Sequence, residues 1–186
     1  MQRARQWIAV LLVCTATSGC LLNSVHQITR APRSKPDSTH AIVVIGMGIE
    51  AARPSAEFEF DFAEYSIQRQ SITGNCFRYN RIAVKTSSSP AKITYLAFKV
   101  PANAYVYVGN PNRPLEPSAT GRAFNAPAGA ILYFGDYIFK ENNTVEFRRD
   151  IDAARTSTKQ LLPRAAVLEL AESITAPGAR MVLCTP

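Results

Sequence analysis

The chain has 186 residues, of which 47% are hydrophobic and 19% are charged, with a formal net charge of +7. This length and composition are those of one globular domain that buries a sizeable core. The basic residues are spread along the chain, whereas a nucleic-acid-binding protein concentrates them on one stripe. We therefore expect no nucleic-acid partner.

The first nineteen residues have the layout of a secretory signal. Arg3 and Arg5 supply positive charge, residues 7–13 are mostly apolar, and residues 15–19 are small. The apolar stretch is too short to cross a bilayer of about 30 Å, which takes roughly 20 residues as a helix. We predict that residues 1–19 are removed, which leaves 167 residues and lowers the net charge to +5.

The cleavage site carries a second signal. Thr17-Ser18-Gly19-Cys20 resembles the lipobox of bacterial lipoproteins, in which an invariant cysteine receives diacylglycerol, although Thr17 stands where that family usually has leucine. The resemblance implies lipidation of Cys20 with fatty-acyl chains such as palmitate. Because Leu21 rather than aspartate follows, it also implies the outer membrane, at its periplasmic face. The alternative is an ordinary signal peptide that leaves Cys20 as a thiol.

Two cysteines remain for the folded protein. Cys14 leaves with the signal and Cys20 takes the lipid, so Cys76 and Cys184 form one pair in an oxidising compartment. We predict a Cys76–Cys184 disulfide, which closes a loop of about 100 residues and stabilises the fold by on the order of 4 kcal/mol. Two isolated buried thiols, or an intermolecular bridge, are the alternatives.

The hydrophobic pattern after Cys20 predicts a tether followed by a β-rich domain. Residues 20–40 are polar, contain proline and lack periodicity, which is typical of a flexible tether. Residues 41–186 form the domain. Alternating or β-branched runs predict strands at 41–46, 57–62, 76–85, 93–100, 104–108, 131–139, 144–149 and 180–184.

Turn signals join some of these strands into hairpins. A short turn predicts that 93–100 pairs with 104–108, and an asparagine-containing turn predicts that 131–139 pairs with 144–149. One helix is expected at 151–162, capped by Asp150 and ended by Pro163. Residues 165–172 fit either a strand or a short helix, and we favour a strand.

Gly135 and Asp136 interrupt an apolar strand. Glycine inside a strand marks a β-bulge or a close approach of another group. Asp136 would then accept hydrogen bonds from the bulged backbone. We favour this structural role over a ligand site.

Six or more short strands with regular turns predict a mainly β fold, either an antiparallel sandwich or a small barrel-like domain. The segment 95–139, with its Val-Pro turn, aromatic strand, Ala-Pro-Ala-Gly turn and Tyr-Phe-Gly-Asp-Tyr run, resembles small uncharacterised bacterial lipoproteins and envelope β-domains. The resemblance implies a sandwich-like fold and an envelope location, and it implies no activity.

Catalytic candidates are few. His26 and His40 are the only histidines, and both precede the first clear strand, so the folded body is expected to contain no imidazole. Serine, cysteine and zinc chemistry usually need one. We expect no catalytic residue, no metal and no cofactor.

A binding surface is expected from the aromatic strand and the long loop after it. Tyr105 and Tyr107 share one strand face, and the proline-rich loop at 110–122 contributes Arg113 and Arg122. Tyrosine and arginine often anchor interfaces. The alternative places both tyrosines in the core.

Three functions remain in view. The first is a non-enzymatic binding or accessory lipoprotein of the envelope, with a protein or cell-wall partner. The second is a structural lipoprotein subunit of a secretion-type or conjugation-type complex. The third is a glycan hydrolase that uses two of the carboxylates Glu57, Glu59, Asp61, Glu64, Asp136 and Glu146.

Overall fold

The computed structural model describes residues 22–31, 36–50, 57–75, 77–87, 92–108, 122–142, 144–163 and 167–176. Their strands are, in chain order, β1 (His26–Ile28), β2 (His40–Ile49), β3 (Glu57–Ser66), β4 (Ser71–Ile72), β5 (Arg81–Ser87), β6 (Thr94–Pro101), β7 (Asn103–Tyr107), β8 (Ala123–Ala126), β9 (Ile131–Phe139), β10 (Val145–Arg148) and β11 (Glu169–Leu170).

The strands form two sheets that pack face to face. Sheet I has the order β1-β6-β2-β9-β10, with β11 also paired to β9, and sheet II has the order β4-β3-β7-β8, with β5 also paired to β3. Most neighbours are antiparallel, but β9 is parallel to both β2 and β11. The predicted mainly β sandwich is confirmed, and the described strands do not close into a barrel.

Aromatic side chains fill the space between the sheets. Phe62 from sheet II meets Phe134 from sheet I edge to face, with ring centroids 5.6 Å apart. Phe60 and Tyr137 pack across the same space at 4.7 Å. All four side chains are at most 1% exposed. Edge-to-face pairs of this kind add about 0.5–1.5 kcal/mol beyond the burial of their area.

The β-bulge predicted at Gly135 is present in β9. Val44 of β2 lies opposite Tyr133, and the next residue, Ile45, lies opposite Gly135, so Phe134 is the extra residue. The φ of Gly135 is 155°, and a Cβ there would overlap the ring of Phe147. Only glycine allows both this positive φ and the close approach of the Phe147 ring.

A short helix covers the outer face of sheet I. α1 (Ile151–Thr158) begins at the predicted cap, where the Asp150 carboxylate accepts a hydrogen bond from the Ala153 amide at 3.0 Å. It ends before the predicted residue 162, and Leu162 then enters the apolar cluster under the helix. Ala154 and Leu162 pack there on Val44 of β2.

The predicted hairpin of 93–100 and 104–108 is wrong. β6 pairs with β1 and β2 in sheet I, whereas β7 pairs with β3 and β8 in sheet II. The chain therefore crosses from one sheet to the other at Ala102. The hydroxyl of Tyr105 holds this crossing, since it donates to the carbonyl of Pro101 at 2.9 Å.

The remaining predicted elements agree in part. The hairpin of β9 and β10 is confirmed. The strand predicted at 76–85 begins only at Arg81, and of the strand predicted at 165–172 the described residues 167–172 contain only Glu169–Leu170. The strand predicted at 180–184 lies outside the described residues.

Substitution of Gly135 by alanine should destabilise the fold strongly. We expect Gly135→Ala to lower the free energy of unfolding by at least about 2 kcal/mol, since backbone strain and overlap with Phe147 add. Gly129→Ala is the matched control, because Gly129 has a φ of 78° but open space around a Cβ. Urea denaturation measures both variants. In a Phe147→Ala background the cost of Gly135→Ala should shrink, and an unchanged cost would contradict this explanation.

Candidate functional site

The two tyrosines that were expected to form a binding surface face the core instead. Tyr105 is fully buried between the sheets, where its ring stacks on Phe124 at 5.7 Å. Tyr107 is partly buried, and its ring lies parallel to that of Tyr137. The binding-surface prediction for Tyr105 is wrong, and Tyr107 also packs against the core. Their alternation reflects the inner face of sheet II.

The other predicted site residues are less completely described. Arg122 is exposed just before β8, and its carbonyl accepts a hydrogen bond from the Tyr107 amide at 2.6 Å. Arg113 lies outside the described residues. Cys20, Cys76 and Cys184 also lie outside them, so the lipidation and the disulfide stay predictions.

The segment 22–28, which we call the N-terminal strap, contacts both sheets. Leu22 donates its amide to the Phe77 carbonyl at 2.7 Å and accepts from the Tyr79 amide at 3.0 Å. Three residues further on, Val25 enters the core between the sheets. The strap then forms β1, which pairs with β6 at the edge of sheet I.

The side chain of Asn23 completes the contact of the strap with β5. Its Nδ2 donates to the Arg81 carbonyl at 2.9 Å, and its Oδ1 accepts from the Arg81 amide at 3.2 Å. One amide side chain thus satisfies both backbone groups of a residue at the start of a strand. This exchange imitates the pairing of one β-strand with another.

A buried polar network holds the middle of the strap. Asn80 is 1% exposed, and its Oδ1 accepts from the Ser24 amide at 2.9 Å. Its Nδ2 donates to one carboxylate oxygen of Glu64, whose other oxygen accepts from Nδ2 of Asn103 at 2.8 Å. The network therefore joins the strap to β3 and β7. Glu64, Asn80 and Arg78 also line a pocket of about 170 Å³.

The predicted tether at 20–40 is therefore too long. Residues 22–28 belong to the folded domain, and the strap begins two residues after Cys20. At this end of the domain Leu22 is 64% exposed and Phe77 is 71% exposed. The strap brings the backbones of these two residues together, because the Leu22 amide is hydrogen-bonded to the Phe77 carbonyl.

The two histidines lie in the folded body, contrary to the expectation. His26 is on β1 and His40 begins β2. Nδ1 of His40 is 2.8 Å from both Thr39 Oγ1 and Asp37 Oδ1. A catalytic relay needs the hydroxyl and the carboxylate on opposite ring nitrogens, so this group is no triad. The hydrogen bond from the Thr39 hydroxyl is the main reason why the pKa of Asp37 lies well below its ordinary value.

Three of the candidate carboxylates for glycan hydrolysis each form an ion pair with a different basic residue. Asp61 pairs with Arg81 at 3.0 Å, and Glu59 pairs with Lys85 at 3.0 Å. Glu146 pairs with Lys140 at 2.6 Å, beside a pocket of about 450 Å³ at the end of the β9–β10 hairpin. The side chain of Glu57 lies outside the described part of the chain.

Asp136 is the one candidate carboxylate that is completely buried. The bulge turns it toward the outer face of sheet I, over Gly46, where any Cβ would overlap its carboxylate. Contrary to the expectation, neither of its oxygens has a well-formed hydrogen bond among the described residues. Its nearest cation is Arg148, whose Nε is 3.6 Å from Oδ2.

Burial raises the pKa of Asp136, and the nearby Tyr133 hydroxyl and Arg148 oppose the rise only in part. The same surroundings act on the phenols. Burial, followed by the charge of Asp136, raises the pKa of Tyr95 to about 12, and burial likewise raises the pKa of Tyr133. Asp136 is thus a buried acid beside the phenols of Tyr95 and Tyr133, and the burial of its charged form costs free energy.

The described residues contain no group of three or more histidine, cysteine or acidic side chains placed to hold a metal ion. Among the same residues no helix has the length and apolar character needed to cross a membrane. Comparisons with protein-family models, with curated proteins and with solved structures give no match.

Disruption of the polar network should loosen the strap. We expect Asn80→Ala to lower the free energy of unfolding by about 1–3 kcal/mol, because it removes the acceptor of the Ser24 amide and one of the two amide donors to the Glu64 carboxylate. Urea denaturation measures the loss, and amide hydrogen exchange should accelerate first at residues 24–25. Gln27→Ala, at an exposed position of the same strap, is the control and should change little. Slow exchange at Ser24 in Asn80→Ala would contradict this role.

The buried acid predicts a dependence of stability on pH. Because the pKa of Asp136 is raised in the folded state, the folded protein holds a proton that the unfolded chain releases. The free energy of unfolding should therefore fall as pH rises from the ordinary aspartate pKa, about 3.9, through the raised value. Asp136→Asn should remove this loss, so the variant gains on the parent protein as pH rises.

Urea denaturation between pH 3 and pH 8 measures this difference. Asp152→Asn, at a helix side chain that is 87% exposed, is the control for the loss of one carboxylate. A constant difference between Asp136→Asn and the parent protein across this range would show that Asp136 does not titrate as described.

Proposed function

We propose that this chain is an envelope lipoprotein, acylated at Cys20 and held at the periplasmic face of the outer membrane. Its sandwich would serve as a non-enzymatic binding or accessory module. The observation that carries the proposal is that the folded domain begins directly after the lipobox-like motif. The lipobox-like Thr17-Ser18-Gly19-Cys20 ends two residues before the strap makes its first hydrogen bond.

The non-enzymatic part of the proposal rests on how the described polar groups are engaged. Glu59, Asp61 and Glu146 are held in ion pairs with lysine or arginine, and Glu64 accepts from two amide side chains. His40 shares one ring nitrogen between its two polar neighbours. Each of these groups is held by a neighbouring side chain of the fold, which favours a binding role over acid–base catalysis.

The test is the intact mass of the protein extracted from its native envelope, with and without reduction and alkylation. We expect an acylated N-terminus at Cys20 and two further cysteines that react only after reduction. Cys20→Ser should lose the acyl mass and the membrane association together. Cys76→Ser is the matched control, which should keep the lipid and release one reactive thiol. A free N-terminus near residue 20 would replace the proposal with an exported binding protein.

A structural subunit of a larger envelope complex is the second candidate. The observation in its favour is β10, which forms the edge of sheet I and has no strand on its outer side among the described residues. Such an edge can accept a strand from a partner. Glu146 and Arg148 place charge on it, which limits unspecific pairing. Co-purification of the acylated protein with an inner-membrane partner would favour this candidate.

A further inference from the structure

Two large apolar side chains project from the end of the domain where the strap begins. Leu22 and Phe77, which we call the apolar tip, are 64% and 71% exposed, the two highest values among the exposed large hydrophobic residues described. Isolated exposed apolar residues are common on proteins and need no explanation. The backbones of these two residues are adjacent, because the Leu22 amide donates to the Phe77 carbonyl at 2.7 Å, and the residue directly opposite Leu22 in this bridge is Arg78.

A hydrogen-bonded turn between Asn75 and Arg78 carries Phe77. Oδ1 of Asn75 accepts hydrogen bonds from the amides of Phe77 and Arg78, both at 2.8 Å. The Asn75 amide in turn donates to the Arg78 carbonyl at 2.9 Å. The backbone that carries Phe77 is thereby fixed, so its exposure is part of the fold.

The tip lies close to Cys20 along the chain. Leu22 follows Cys20 by two residues, and an extended chain spans at most about 7 Å over that distance. If Cys20 carries acyl chains, its backbone lies at the headgroup level of the bilayer, and the tip lies there too. A free tether over 20–40 would instead allow a separation of about 25 Å.

The charge around the tip fits an anionic surface. Arg78 directly follows Phe77, is exposed, and lies opposite Leu22 in a parallel bridge. Basic residues near a membrane are attracted to anionic lipid, and aromatic side chains partition into the interface.

We propose that the apolar tip inserts into the headgroup region of the same leaflet that holds the acyl chains of Cys20. The domain then rests on the membrane in one orientation and directs the opposite end of the sandwich away from it. This inference rests on the proposed function, because it requires the lipid at Cys20. Its occupant is the lipid bilayer.

The test uses the acylated protein with a single tryptophan as probe. Trp7 is the only tryptophan of the chain and lies in the predicted signal, so Phe77→Trp places the sole tryptophan of the processed protein at the tip. Glu141→Trp is the control at an exposed position of the turn that follows β9. It lies beyond Phe139, at the end of β9 away from the strap.

Both variants are placed in vesicles of phosphatidylethanolamine and phosphatidylglycerol with brominated acyl chains. We expect at least a threefold loss of emission for Phe77→Trp, with a shift to shorter wavelength, and little change for Glu141→Trp. The denaturation midpoints in detergent should match that of the parent protein, which confirms that both variants fold.

The outcomes separate the two proposals. Acylated protein with an unquenched Phe77→Trp probe overturns the membrane contact and leaves the lipoprotein proposal intact. Equal quenching of both probes overturns the single orientation. Protection of the Phe77→Trp probe from aqueous acrylamide without quenching by bromine points to a protein partner and overturns the lipid contact. Absence of the acyl mass overturns the proposed function and this inference with it.

Discussion

The bulge in β9 decides which side chains this sandwich buries between its sheets. With a regular alternation, Asp136 would share the face of Leu132 and Phe134 and would enter the aromatic core. The extra residue at Phe134 shifts the alternation, so that Tyr137 faces the core and Asp136 faces outward over Gly46. Isolation of a charge in an apolar core would cost far more than a glycine with unusual backbone angles. The carbonyl of the bulged Phe134 is itself satisfied by Nε of Arg149 at 2.9 Å, so the distortion leaves this group paired.

The N-terminal strap closes the side of the sandwich at which β6 and β5 would otherwise be open. A sheet edge leaves a row of backbone donors and acceptors without partners, and proteins cover such edges in many ways. Here seven residues cover both sheets: β1 completes sheet I, and the Asn23 amide serves the start of β5. Val25 adds an apolar contact between the two. The same segment therefore links the two sheets through hydrogen bonds and an apolar contact.

Much of the sandwich could be predicted from alternation, because strands with one buried face repeat every two residues. The alternation at 57–62 identified β3, the apolar runs at 41–46 and 131–139 identified the almost fully buried β2 and β9, and Gly135 identified the bulge. The assignment of strands to sheets could not be predicted, because a short turn at Ala102 fits either a hairpin or a crossing, and the pairings that separate β6 from β7 are with strands distant in the sequence. The strap was missed for a similar reason. Its stability comes from Asn80 and Glu64, which are more than 30 residues away and carry no local pattern.

The strap also fixes the order in which the chain can complete its fold. Its described backbone partners lie between Phe77 and Lys99, so this early part of the domain cannot pair until the later parts have formed. Until β5 and β6 are in place, residues 22–28 lack these partners. Contacts over such sequence separations form late, because loop closure precedes them. If Cys20 is acylated as proposed, the modifying enzyme has free access to the chain only while residues 22–28 are unpaired. The topology of the sheets would then set when this modification can take place.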